Sequence, residues 1–203
     1  MKKILALACS PEKGGNSDTL LDEFIKGVSK VQWIKIEKIY LQDVPCAPYS
    51  YLNKFPNPNE EPEFTTFTQD LDTADGLIIA TPTYNFGVPA PLKNFIDRIG
   101  FMSLNYKKLN WAKQPTGLLG SLRTYYIVCG WTPDLMQRML FFLFPRFILR
   151  AQFSYYGVKK HGGAFAGNLS FSHPAKKQPK LLKKFERLGE EYARKILNDS
   201  ANK

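Results

Sequence analysis

The chain has 203 residues, with 28 Lys+Arg against 18 Asp+Glu for a formal net charge of +10, and it is 44% hydrophobic and 23% charged. That balance belongs to a soluble globular protein, excludes wholesale disorder and collagen-like repeats, and at this length suits one domain over residues 1–203. The cysteines, Cys9, Cys46 and Cys129, are three, widely spaced, and too few for a disulfide framework or a four-thiolate metal or iron–sulfur site.

No segment reaches the roughly 18 uninterrupted apolar residues that span a bilayer. Met1-Lys2-Lys3 followed by Ile4–Ala8 looks like the start of a secretion signal, but Ser10-Pro11-Glu12-Lys13 breaks the run at once, so a cytoplasmic location is expected. Charge is unevenly placed: residues 1–106 carry a net −3 and residues 107–203 a net +13. Such asymmetry suits contact with nucleic acid or a membrane, and equally the handling of phosphorylated cofactors.

In chain order, Lys3–Ala8 is a short apolar run with the pattern of a buried strand. A loop over Cys9–Asn16 follows, and Ser17 opens a helix whose Leu20, Leu21, Phe24, Ile25 and Val28 recur at helical spacing. Trp33–Tyr40 alternates polar and apolar residues, as a half-buried strand nearer a sheet edge does. Gln42–Glu63 holds five prolines and no periodicity, a length of irregular chain that is more often functional than filler. Its Tyr49, Tyr51 and Phe55 suit a lid or partner contact, or an ordered surface loop.

Phe64–Thr73 reads as a short helix, Gly76–Thr81 as a second fully apolar strand, and Pro91–Gly100 as a helix begun by its proline. Thr124–Cys129 is a third central strand, and Thr132-Pro133 starts a helix through about Arg150. Phe153–Val158 is expected to be a further strand, and Pro174–Asn198 a long amphipathic helix. Strands alternating with helices predict parallel βαβ units in a three-layer α/β fold, five strands in the flavodoxin-like order 2-1-3-4-5. Ligands of such sheets lie beyond the carboxyl ends of the strands, in the loops that begin here at Cys9, Pro82 and Gly130.

The first loop offers Gly14 and Gly15 to bend around a phosphate, donors at Ser10, Asn16, Ser17 and Thr19, and the charge of Lys13, all beside a helix N-terminus that favours an anion. It lacks the Walker pattern and the Gly-x-Gly-x-x-Gly pattern, and an ordinary strand-to-helix turn is its plain alternative. The second loop, Thr81-Pro82-Thr83-Tyr84-Asn85-Phe86-Gly87-Val88-Pro89, combines two rigid prolines, a glycine, two aromatics and an amide, which suits a planar, partly polar ring, with a rigid crossover bearing core aromatics as its plain alternative.

The strings Ser10-Pro11-x-Lys13-Gly14-Gly15-Asn16-Ser17 and Pro82–Arg98 resemble the NADPH-dependent FMN reductase family and its iron–sulfur flavoprotein relatives; the likeness fades beyond about residue 130. The resemblance implies FMN as cofactor, NADPH or NADH as reductant, a dimer or tetramer, and hydride transfer through FMN to an acceptor such as a quinone, a nitro or azo compound, or a flavin. It places Ser10, Lys13, Asn16, Ser17 and Thr19 at the FMN phosphate, Pro82–Gly87 at the ring, and Cys129-Gly130-Trp131 on the ring's other side. Tyr84 and Asn85 are expected beside the reduced flavin, and no side chain is required as general acid or base. Two departures stand out: Cys9 replaces a glycine and Glu12 stands where these proteins often carry arginine. Cys46 has no neighbouring cysteines, so no cluster is ligated there. The rival reading is an FMN-binding electron-transfer or redox-sensing protein without NAD(P)H turnover.

Other residues take plainer readings. Cys9 and Cys129 suit packed core thiols, although a helix N-terminus lowers a thiol pKa and would make Cys9 reactive. His161 and His173 lack partners at metal-ligand spacing, and His161 lies in a glycine-rich segment expected after the last strand, within reach of the flavin. Met136–Arg150 is strongly apolar with interspersed arginines, which suits a core or subunit interface before a membrane surface. The lysines at 176, 177, 180, 183 and 184 read as a solvated helix face, without a nucleic-acid motif.

Overall fold

The computed structural model describes residues 1–139 and 145–201. Its elements run as β1 (Lys2–Ala8), α1 (Asn16–Ser29), β2 (Ile34–Tyr40), α2 (Pro62–Thr73), β3 (Gly76–Pro82), α3 (Ala90–Met102), β4 (Leu104–Leu109), β5 (Pro115–Gly117), β6 (Arg123–Cys129), α4 (Asp134–Met139), α5 (Pro145–Tyr155), β7 (Lys160–Ala166) and α6 (Pro179–Ala201).

The apolar runs form a parallel sheet of order β2-β1-β3-β6-β7. With β6 and β7 as fourth and fifth strands, this is the flavodoxin-like order expected from the alternating pattern. Continuous apolar strands need cover on both faces. Alternate residues of β1 supply both: Leu5 and Leu7 pack into a core with Phe64, Phe95 and Phe153, and Ile4, Ala6 and Ala8 into one with Phe24, Phe185 and Ile196. α2, α3 and α5 thus cover one face, and α1 and α6 the other.

The cover on the second face is close. A Cβ placed on Gly27 of α1 would lie 1.8 Å from the Glu186 carbonyl oxygen, and one on Gly189 of α6 would lie 2.0 Å from that of Phe24. The two glycines let the backbones touch, and no rotamer change can make room there.

The fifth strand departs from expectation. Phe153 lies within α5, and the sheet is completed by β7, where His161 and the two glycines sit. The aromatics of 153–158 fit a strand by residue type, but Phe153 is buried within α5 and Tyr156 in the turn just after it. Glycine normally weakens a strand. Here a Cβ on Gly162 would meet Tyr125 Cδ2 at 2.5 Å, so close packing requires the bare backbone.

Smaller differences follow. α1 begins at Asn16 after Gly15, and α6 begins at Pro179 after a short 3-10 turn at Ala175–Lys177. The expected helix from Thr132 to Arg150 is α4 and α5, and its central part lies outside the described residues. β4 and β5 form an antiparallel pair between α3 and β6 that periodicity did not suggest.

The proline-rich segment is strapped onto α3. Arg98, fully buried, donates to both carboxylate oxygens of Glu61 at 2.8 and 2.6 Å and to the Ala47 carbonyl at 2.8 Å. Glu61 accepts the Ala47 N–H at 2.6 Å, and Asn94 accepts the Tyr49 N–H at 2.7 Å. The guanidinium and the Ala47 N–H hold the Glu61 carboxyl below the usual carboxylate range.

Removing one partner of such a pair leaves the other charge buried. Glu61→Ala is therefore expected to cost roughly 3–5 kcal/mol in urea unfolding. Because the folded pKa of Glu61 is depressed, its contribution is present above the unfolded value of about 4.3 and is lost as pH falls through the folded value. Glu61→Gln should correspondingly flatten the acid limb of a stability-versus-pH curve. Gly27→Val should cost about 3 kcal/mol or more in the same measurement, by forcing α1 and α6 apart.

Candidate functional site

Parallel strands present their carboxyl ends on one edge, and the order reverses between β1 and β3, so the loops that follow them diverge and leave a crevice. A cavity of about 280 Å³ occupies it. Four loops build its walls.

The first follows β1. The Cys9 N–H is held by the Ala80 carbonyl at 2.8 Å, and the Ser10 hydroxyl accepts the Glu12 N–H at 3.1 Å. Gly14 takes a left-handed φ of +76°, which non-glycine residues rarely adopt. Its N–H donates to Asp18 Oδ2 at 2.7 Å. Asp18 is buried, and Lys38 Nζ lies 2.6 Å from its Oδ1. Gly15 is the N-cap of α1 and has no side chain to cap it, so among the described residues the N–H groups of the first turn lack the capping side chain that usually satisfies one of them. Ser10, Glu12, Asn16 and Ser17 line the cavity.

The second loop follows β3. The Thr83 N–H donates to the Cys129 carbonyl at 2.8 Å, which locks the loop to β6. Tyr84 and Gly87 exchange backbone hydrogen bonds at 3.1 and 2.8 Å around Asn85 and Phe86, both at positive φ (50° and 63°). This tight turn is one that glycine and asparagine prefer, so Phe86 is held in a costly conformation.

The third loop is Cys129-Gly130-Trp131. A Cβ on Gly130 would stand 3.2 Å from Thr83 Cβ and 3.3 Å from its hydroxyl oxygen. That oxygen is buried and has no hydrogen-bond partner. The fourth follows β7: the Leu169 N–H donates to the Gly130 carbonyl at 3.1 Å, and Leu169, Ser170 and Phe171 complete the wall. Asn16 Oδ1 accepts the Ala175 N–H at 2.8 Å, tying this loop to α1. Trp131 and Phe171 are 82% and 95% exposed and give the cavity an apolar rim.

Of the residues expected at the site, Ser10, Asn16, Ser17, Pro82, Thr83, Tyr84, Gly130 and Trp131 come together around this cavity. Lys13 turns away: its Nζ lies 3.0 Å from Asp43 Oδ2 and 4.4 Å from the centre of the Tyr40 ring. Thr19 sits deeper along α1, its N–H bound to the Gly15 carbonyl at 2.9 Å, and does not line the cavity. Asn85 faces an open groove of about 710 Å³ with Tyr49, Val88 and Lys93, while Tyr84 lines both spaces. Phe86 and Gly87 shape the turn. Leu169–Phe171 follow β7, whose glycines hide it from the residue pattern; with β7 at Lys160–Ala166, the rule that ligands lie beyond strand carboxyl ends points to them.

Burial pushes the Cys9 thiol far up and that of Cys129 up to about 12, so neither supplies a thiolate near neutrality. His161 is not near the crevice. It pairs in register with Thr124 towards the opposite end of the sheet, and its Nδ1 lies 2.7 Å from Thr124 Oγ1 and its Nε2 2.9 Å from Ser154 Oγ. Burial holds its pKa below the usual histidine value. The cavity of about 430 Å³ beside it, with Arg146 and Arg150, belongs to that distant end. Among the described residues no helix is long and apolar enough to cross a membrane.

Residues 2–125 match the NADPH-dependent FMN reductase family, and the chain belongs to it. The FMN-dependent NADH:quinone oxidoreductase of Thiobacillus denitrificans is 44% identical over 61 residues, which cover 30% of this chain and 29% of that protein. A protein of the same description from Metamycoplasma arthritidis is 31% identical over 140 residues, covering 66% and 71%. The chain thus spans less than a third of the first relative's length and about seven-tenths of the second's. The FMN-dependent NADH-azoreductase of Bacillus anthracis, solved in complex with FMN, superposes with a TM-score of 0.70 over 97% of this chain and 99% of that one at 19% identity. That likeness shows the flavodoxin-like fold.

Thr83→Val removes the orphaned hydroxyl with little change of shape. Thermal unfolding of the free protein should be unchanged or improved by up to about 1 kcal/mol. A ligand that hydrogen-bonds this oxygen should lose about three- to tenfold in affinity, measured by titration.

Proposed function

We propose that this chain is an FMN-dependent NAD(P)H oxidoreductase that reduces a quinone- or azo-type acceptor. The observation that carries the reading is the pairing, within one cavity, of an uncapped helix N-terminus with a partnerless buried hydroxyl beside a glycine gap. The donor set fits FMN. First-turn N–H groups of α1, with Ser10, Ser17 and the amide of Asn16, would hold the phosphate, as helix N-termini do. Thr83, Gly130 and Trp131 would flank the ring, Gly130 leaving the space that a side chain would fill.

When bound, FMN supplies the hydride- and electron-transfer chemistry. The chain's own residues bind and orient. Tyr84, shared by the cavity and the groove, would position a second planar molecule against the first, with Tyr49 as the far wall. Cys9 and Cys129 remain protonated, so the site adds no competing thiol chemistry. The exposed Tyr51, Leu52 and Phe55 support association of copies into a dimer or tetramer, and a cytoplasmic setting accords with three unpaired cysteines.

The test is the visible spectrum of purified protein after loading with FMN and desalting. Retained flavin that bleaches anaerobically with NADPH or NADH is expected. Retained flavin that neither nucleotide bleaches would turn the reading towards an electron carrier. Ser17→Ala should weaken FMN binding about three- to tenfold, through one lost hydrogen bond.

A further inference from the structure

The charge of the cavity is unusual for a site that takes a phosphate. Among the described residues lining it, Glu12 alone carries a charge at neutral pH, and that charge is negative. The lysine of the first loop and the one that pairs with Asp18 both meet carboxylates. Lys13 pairs with Asp43 at 3.0 Å, and Lys38 lies 2.6 Å from Asp18 and 2.5 Å from Asp22. A phosphate here has hydroxyls and helix N–H groups to meet it, with no lysine or arginine among the described lining residues.

Glu12 also stands at the end of the cavity where α1 begins. Its N–H is fixed by the Ser10 hydroxyl at 3.1 Å, and the side chain folds back over the start of α1. Its Oε2 stands 3.4 Å from the point a Cβ on Gly15 would occupy, and Gly15 is the residue that opens the helix. A carboxylate at this end of a helix is stabilised by the helix dipole. Close to the helix end without accepting its N–H groups, the carboxylate leaves those donors open and repels a second anion that binds them.

We infer that Glu12 sets the flavin preference of this site against the phosphate, narrowing the advantage of FMN over unphosphorylated riboflavin so that the site accepts both. The inference rests on the flavin reading above. It concerns only the phosphate end of the ligand: ring contacts at Thr83, Gly130 and Trp131 are the same for either flavin.

The test is the dissociation constant of each flavin for the full chain, by quenching of flavin fluorescence at low salt, in the wild type and in Glu12→Gln. The substitution lies on an exposed turn, and an unchanged unfolding midpoint confirms that the variant is folded. FMN should bind about tenfold more tightly to the variant while riboflavin is nearly unaffected, so the ratio of the two constants moves about tenfold. The gain should shrink as salt is raised to about 0.5 M. Two flavins that bind the wild type with a ratio the substitution does not move, or that tighten equally, overturn the role of Glu12 and leave the flavin site standing. Absence of binding by either flavin to either protein overturns the site assignment and the inference with it.

Discussion

The arrangement depends on β1 being hydrogen-bonded on both sides and covered on both faces. Ile4 to Leu7 are wholly inaccessible, paired to β2 on one edge and β3 on the other. A strand in that position cannot shift register without turning its side chains from one core to the other. The chain must leave it at Ala8 and return to the sheet twice, in opposite directions, and the loops after β1 and β3 separate as a geometric consequence. The crevice is therefore a property of the strand order, and its contents are set by what each loop carries.

What the loops carry is fixed by backbone hydrogen bonds more than by side chains. Cys9 to Ala80, Thr83 to Cys129, Gly130 to Ala166 and Leu169 to Gly130 tie each loop to a neighbouring strand or loop within 2.8–3.1 Å. Rigid connections of this kind hold a binding site at low cost to ligand ordering. They also explain why an orphaned hydroxyl and an uncapped helix persist: the framework around Thr83 and α1 is over-determined, so local deficits remain available to a ligand.

The proline-rich strap obeys a different logic. It has little regular structure beyond short 3-10 turns, and it is positioned by the polar side of α3, where Glu61 and backbone carbonyls take the terminal nitrogens of Arg98 and the amide of Asn94. A fully buried guanidinium without that carboxylate would be untenable. The pair specifies where the strap lies and, through Tyr49, what stands across the groove from Tyr84.

Apolar periodicity by itself determined the four strands β1, β2, β3 and β6, the helices between them and the α/β class, because buried parallel strands and amphipathic helices write their burial directly into the residue pattern. The glycine-rich and proline-rich loops were legible for the same reason: few residue types tolerate those backbones. Only the tertiary structure decided the rest. β7 contains two glycines that look like a loop until Tyr125 and α5 are packed against them, and locating it brought Leu169–Phe171 to the crevice. Lys13 reads as a phosphate ligand beside Gly14, yet Asp43 and Tyr40, some thirty residues on, draw it away. Arg98 and Glu61, 37 residues apart, are buried as a pair that no local pattern announces. In each case the deciding partner is distant in sequence, and a pattern of neighbours along the chain contains no information about which distant charge or ring will stand opposite.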